Sequence, residues 1–336
     1  MNRPPTIVDV ARAARVSVPT VSRVLTGSVP VRPETRDRVL AAIAELGYRP
    51  NGAARALVQG RQPIVGIITR DPSAYGRARM VLNIEERARQ SGFVVAIAVL
   101  DPTDTASTDS ALDVLLAQPI AGVIVLDYNL YDSKKLHARL GAVPVATVTN
   151  GGDIGIDVPH VLVDDRAAAR EVTRHLLGLG HATVHHVAVP GARGEPHARE
   201  LGWREALREA GAPEPPTVMS DWSIESGRKA GLRLAADPSV TAVFCSNDEL
   251  AFPVMRALHE AGRRVPDDVS VAGIDDEPLA GSYIPSLTTY RLDFDWAGLA
   301  AFELLAHPNR ADLRVGIARH GLVLRESTAP PPHTSN

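Results

Sequence analysis

Residues 6–25, TIVDVARAARVSVPTVSRVL, decide how the amino-terminal end folds. They predict two short helices joined by a tight turn. Thr6 stands where a helix N-cap belongs. Asp9 follows three positions later, suited both to a capping box and to the positive end of the helix. Ile7, Val10, Ala11 and Ala14 recur at helical spacing and make one apolar face. Arg15 and Val16 supply the turn. Ser17 is the next N-cap, and Pro19 is tolerated because the first helical turn has no internal donor to lose. Val21, Val24 and Leu25 then face inward, which leaves Val18, Pro19, Ser22 and Arg23 pointing outward. A helix start that exposes a small apolar pair, a hydroxyl and an arginine suits the DNA major groove. A helical hairpin on any protein surface would show the same pattern, so the flanking residues decide.

Residues 27–30 form a loop. Pro33 and Glu34 open a third helix whose Val39, Ile43 and Leu46 share one face, and Gly47 stops it. Three such helices enclose a minimal core. Residues 48–57, YRPNGAARAL, are a short helix-prone linker. Charge sets this end apart. Residues 1–61 hold ten arginines against Asp9, Glu34, Asp37 and Glu45, a net of +6, while the whole chain carries −3, so the remainder carries −9. A basic end on an acidic body is the electrostatic footprint of a nucleic-acid-binding head.

The run TIVDVARAARVSVPTVSRVLTG, followed by VRPETRDRVLAAIAELGYRPNGAARAL, resembles the lactose-repressor (LacI/GalR) family of bacterial transcription regulators. The resemblance implies an α/β fold in four parts. A three-helix helix-turn-helix headpiece spans residues 1–49 and a hinge helix spans 50–61. A two-lobed, periplasmic-binding-protein-like core of two parallel-sheet subdomains spans 62–328, and a tail 329–336. It implies that the second helix reads base edges through Val18, Pro19, Ser22 and Arg23. Thr6, Ser17, Thr20 and neighbouring arginines, Arg55 among them, then hold phosphates. Leu57 becomes a wedge in a minor-groove base step. Outside that resemblance, Leu57 is an ordinary apolar linker residue.

From residue 62 the pattern changes. Residues 64–68, IVGII, are too short and too β-branched for a helix and predict a buried strand. A helix is expected over 80–92, a strand over 93–100, then helices over 110–118 and 134–140 alternating with strands over 122–126 and 143–148. A second round runs from 161 to 274. Such alternation calls for parallel sheets covered by helices on both faces. A further helix over 295–306 and a strand over 321–324 close the chain. Stretches such as VSVAGIDDEPLAG and LVLREST extend the resemblance over nearly the whole length. Family topology implies three crossings between lobes, with a first lobe of about 62–160 and 292–318 and a second of about 161–291 and 319–328.

Open parallel sheets bind ligands at the carboxyl ends of their strands. Asn247 and Asp248 follow the strand AVFCS, Asp275 and Asp276 follow VSVAGI, and Arg199 opens the helix before Gly202 and Trp203. The resemblance places Arg199, Asn247 and Asp275 where a ligand's hydroxyls or ring atoms are hydrogen-bonded. Trp222 and Phe294 fall at aromatic positions that pack on sugars, and Thr149 at another ligand-facing position. Asn and Asp after strands are also ordinary caps and turns, and Trp222 could equally be core. The first lobe departs from the family pattern. In place of an aromatic-rich segment it has TRDPSAYGRARM, with Tyr75 as its only aromatic among Arg70, Arg77 and Arg79. An anionic effector is the alternative this raises, against plain surface arginines.

Other classes find little support. His181, His185 and His186 suggest a metal cluster, but adjacent strand residues face opposite ways. No P-loop or dinucleotide fingerprint is present. No leader and no apolar run of about 20 residues is seen, so neither export nor a membrane span is expected. The single Cys245 permits no internal disulfide. The expectation is a cytoplasmic homodimer that is not an enzyme, needs no cofactor and binds double-stranded DNA at a pseudo-palindromic operator. It would repress carbohydrate-utilisation genes under a small, sugar-like effector. The alternatives are a solute receptor acting through protein contacts and a purine- or sugar-phosphate-responsive regulator.

Overall fold

The computed structural model describes residues 5–26, 30–48, 64–101, 104–126, 133–151, 159–191, 196–308, 315–318 and 321–332. The chain divides into two compact units at Pro63/Ile64. The expected hinge helix, with Arg55 and Leu57, lies outside the described residues.

The first unit holds α1 (Ile7–Ala13), α2 (Val18–Thr26) and α3 (Pro33–Leu46). The Thr6 amide and hydroxyl both donate to the Asp9 carboxylate, at 2.9 and 2.6 Å, which closes the start of α1. Arg15 takes a left-handed φ of 55°, so the turn forms where expected but on a residue other than glycine. Val10, Ala11, Ala14, Val21, Val39 and Ala42 are buried together, with Val24, Leu25, Ile43 and Leu46 packed against them.

The second unit holds two six-stranded sheets. The first contains β1 (Ile64–Thr69), β2 (Val94–Val99), β3 (Ile120–Leu126), β4 (Val145–Thr149), β5 (His160–Val163) and β11 (Val315–Ala318). Its order is β11-β5-β4-β3-β1-β2, and every pairing is parallel. The second contains β6 (His185–Ala188), β7 (Val218–Met219), β8 (Ala242–Cys245), β9 (Ser270–Asp275), β10 (Thr288–Arg291) and β12 (Gly321–Val323). Its order is β12-β10-β9-β8-β6-β7, and only the β10–β12 pair is antiparallel. Sheet membership moves the first crossing. The second lobe was expected to start at about residue 161, but β5 pairs with β4 and β11 in the first sheet, so the chain crosses after Val163. A four-residue apolar strand carries no mark of the sheet it will join.

Eight described helices accompany the sheets: α4 (Tyr75–Gln90), α5 (Thr105–Leu116), α6 (Ser133–Leu140), α7 (Asp165–Gly178), α8 (Ala198–Ala210), α9 (Ile224–Ala235), α10 (Asp248–Glu260) and α11 (Phe294–Ala306). Three of them position the cleft. α4 (Tyr75–Gln90) starts five residues before the expected 80, because Arg77 and Arg79 interrupt the apolar spacing of its first turn. Its Met80, Ile84 and Ala88 face inward as the spacing predicts. α8 (Ala198–Ala210) follows the His197 cap and carries Arg199. α11 (Phe294–Ala306), apolar on nearly every side, packs on α4 and on the first sheet. Gly298 permits that approach: a Cβ there would sit 2.6 Å from the Met80 carbonyl oxygen.

Candidate effector cleft and nucleic-acid interface

On the first unit, the start of α2 presents Val18, Pro19 and Arg23 to solvent, with Ser22 and Thr20 half-buried. The Ser17 and Thr20 hydroxyls lie 2.9 Å apart and bond each other. The Ser17 carbonyl accepts from the Thr20 and Val21 amides. Thr6 is half-buried, its hydroxyl committed to Asp9.

In the second unit, a cleft of about 170 Å³ opens where the strands of both sheets end. Thr149 closes β4, Asp275 closes β9, and Asn247 follows β8. All seven residues named from the sequence, Tyr75, Thr149, Arg199, Trp222, Asn247, Asp275 and Phe294, line it.

Arg199 is the centre of the second-lobe wall, only 6% exposed. Its Nε donates to Asp165 Oδ1 at 3.0 Å, one terminal nitrogen donates to Asp275 Oδ1 at 3.0 Å, and the other to the Ser246 carbonyl. Burial alone would favour the neutral guanidine. The Asp165 and Asp275 carboxylates outweigh it and hold Arg199 charged. Asp275 is pushed up to about 6, by burial first, with Arg199 pulling the other way. Its backbone adopts φ 121°, and the next residue, Asp276, φ 54°. Asp276 holds that bend through Arg291 and Arg325, each at 2.6 Å. Backbone in this region costs on the order of 1–3 kcal/mol and persists only where its surroundings enforce it.

The aromatic residues make the rest of the wall. Phe294 meets Tyr75 edge-on with ring centres 6.2 Å apart, and its ring comes so close to Gly76 that a Cβ there would sit 2.6 Å from Phe294 Cζ. Trp222, at φ 73°, is half-buried and meets His197 edge-on at 5.8 Å. Asn247 is a helix cap as well as a lining residue: its Oδ1 accepts from the Leu250 amide at 3.0 Å.

Several lining residues were not named from the sequence. Asp165 ends the β5 connection and obeys the same strand-end rule, but its place at a helix start hid it. His197 and Asn150 meet from opposite lobes, with Nε2 3.1 Å from the amide nitrogen position. His197 Nδ1 accepts from the Arg199 amide at 3.2 Å, which ties the ring to the start of the same helix. Glu249 is the third carboxylate of this wall. Behind it, Glu277 is 9% exposed and pushed up to about 8, by burial first and then by Glu249 and Asp275. Arg79 does not line the cleft: it pairs with Asp295.

The histidine triplet is dispersed. His181 bonds Thr241, Ser270 and the Ala329 carbonyl, whereas the buried His186 stacks on Phe244 at 4.5 Å. Among the described residues, no group of three potential ligands could hold a metal.

Residues 6–51 match the family described as bacterial regulatory proteins, lacI family, and residues 173–328 match the periplasmic binding protein-like domain. The lactose operon repressor of Escherichia coli is 30% identical over 98% of this chain and 92% of its own length. The crystal structure of a lac repressor dimer bound to operator and the anti-inducer ONPF superposes with a TM-score of 0.87. It shares 30% identity and covers 97% of this chain and 100% of that one. A CelR–cellobiose complex superposes at 0.68 with 29% identity, over 96% and 99% of the two chains.

Proposed function

Because the chain belongs to the lacI family of bacterial regulatory proteins, we propose that this DNA-binding transcription regulator is a repressor of carbohydrate-utilisation genes. Its grip on an operator is set by a small polyhydroxylated ligand between the lobes. The observation that carries this is the Asp165–Arg199–Asp275 cluster at the meeting of two sheets' strand ends. It offers carboxylate acceptors, held in place by a buried guanidinium, beside aromatic side chains, a set suited to the hydroxyls and faces of a sugar ring. The relatives support it: one is named for the lactose operon and another is complexed with cellobiose.

The regulator acts in the cytoplasm as a homodimer on a pseudo-palindromic duplex. Each head places Val18, Pro19, Ser22 and Arg23 in the major groove. Ser17, Thr20 and Arg55 hold phosphates and Leu57 wedges into the minor groove, while Thr6, whose amide and hydroxyl both donate to Asp9, holds the start of α1 instead. The ligand contacts Tyr75, Thr149, Arg199, Trp222, Asn247, Asp275 and Phe294. It acts through differential affinity for two lobe arrangements, and a swing from about 1:99 to 99:1 needs a ratio of roughly ten thousandfold. Among the described residues, no helix is long and apolar enough to cross a membrane.

The test is fluorescence anisotropy on a duplex selected from a random pool, with and without a sugar panel. Asp275→Ala is expected to keep operator binding and lose the sugar response. Loss of both would make Asp275 a structural residue and remove the cleft from the account.

A further inference from the structure

The two walls of the cleft differ in charge. The second-lobe wall carries Asp165, Glu249 and Asp275 against one guanidinium, Arg199. That guanidinium is already spent on Asp165, Asp275 and the Ser246 carbonyl. The wall therefore presents acceptors and repels an anion. The first-lobe wall carries Arg70 and Arg77 against Asp71. The Asp71 carboxylate is folded back on Ser73, accepting from its amide at 2.9 Å and its hydroxyl at 2.6 Å. Arg70, half-buried at the end of β1, makes no hydrogen bond or ion pair among the described residues. The adjoining first turn of α4 has no acidic residue and no side-chain cap, so its amide dipole adds positive potential to the same wall.

We propose that the effector is an acidic sugar, a sugar carboxylate or sugar phosphate. Its hydroxyls meet Asp165, Asn247 and Asp275, and its anionic group meets Arg70. This rests on the reading of the cleft as the effector site and narrows its ligand class. The reasons are three. A planar guanidinium matches a carboxylate or a phosphate with two parallel hydrogen bonds. A neutral sugar offers Arg70 hydroxyl acceptors but no opposite charge, and the hydrogen bond it forms is weaker than a charge-assisted pair. A ligand in the opposite orientation would set its anion against three carboxylates. The anion also joins the lobes, since Arg70 follows β1 of the first sheet and Asp275 ends β9 of the second.

The experiment is calorimetric titration of the full-length protein with matched sets: glucose, gluconate and glucose 6-phosphate; galactose, galactonate and galacturonate; and inorganic phosphate alone. The acidic member of at least one set is expected to bind about tenfold or more tighter than its neutral partner, the worth of one charge-assisted hydrogen bond. Arg70→Gln is expected to bring that ratio near one, and Arg70→Lys to restore part of it. Thermal melting of each variant controls for folding. Neutral and acidic members binding alike, with both lost in Asp275→Ala, would overturn the acidic class and leave the sugar reading standing. Phosphate binding as tightly as the sugar phosphate, untouched by Asp275→Ala, would overturn the polyol half. Binding by no member, with operator binding intact, would overturn both.

Discussion

Arg199 shows how a charge is kept inside this protein. Its guanidinium is almost fully removed from water and survives because two carboxylates and a carbonyl take up its donors. Asp275 and Arg199 were named because the family resemblance places them at ligand-facing positions, with Asp275 also at the end of a predicted strand. Asp165 was not, although it completes the cluster, because partners 34 residues apart carry no shared local signal. Glu277 is a different case. Its carboxyl is buried, its Oε1 has no partner among the described residues, and its pKa is raised from 4.5 to about 8. A carboxyl whose folded pKa lies above its unfolded value makes the folded state bind the extra proton. Stability is then fully present below the unfolded value and falls as pH rises toward about 8. Urea unfolding between pH 5 and 8.5 is expected to show that decline, on the order of a few kcal/mol. Glu277→Gln, which keeps shape without charge, is expected to flatten it. An unchanged slope in the variant would place the titration elsewhere.

At the scale of elements, spacing located the helices but not their closeness. Met80, Ile84 and Ala88 mark the inner face of α4 from sequence alone. That α11 lies against this face, close enough for Gly298 to touch the Met80 backbone, comes from the fold. A side chain at Gly298 meets backbone that cannot rotate away, so the helices must separate. Gly298→Val is expected to cost about 1–3 kcal/mol or more by overpacking, read as a lower urea midpoint with unchanged slope. Since α11 begins at Phe294, the same variant is expected to weaken ligand binding in the cleft. A variant as stable as the parent would mean the two helices tolerate a wider spacing. β5 teaches the same lesson for sheets: its apolar pattern marks a strand, and only pairing with β4 and β11 assigns its lobe.

At the scale of the whole molecule, a head with net +6 is joined to a remainder of −9. Duplex affinity is therefore expected to fall steeply with salt, at about 0.9 per neutralised phosphate on a log–log plot. Leu57→Ala is expected to weaken operator binding, leave the salt slope nearly unchanged because no charge is lost, and leave ligand affinity intact. Equal operator affinity for the variant, by anisotropy, would remove the wedge from the account. The sequence by itself determined the head helices, their inward and outward faces, the charge asymmetry and the alternating core, because these are written in local spacing and composition. Tertiary structure alone decided which strands share a sheet and where the chain crosses. It also decided that Asp165 and Asp275 meet on one guanidinium and that the two walls of the cleft differ in sign. Those features join residues distant along the chain, and distance in space between such residues is set by packing rather than by any local pattern.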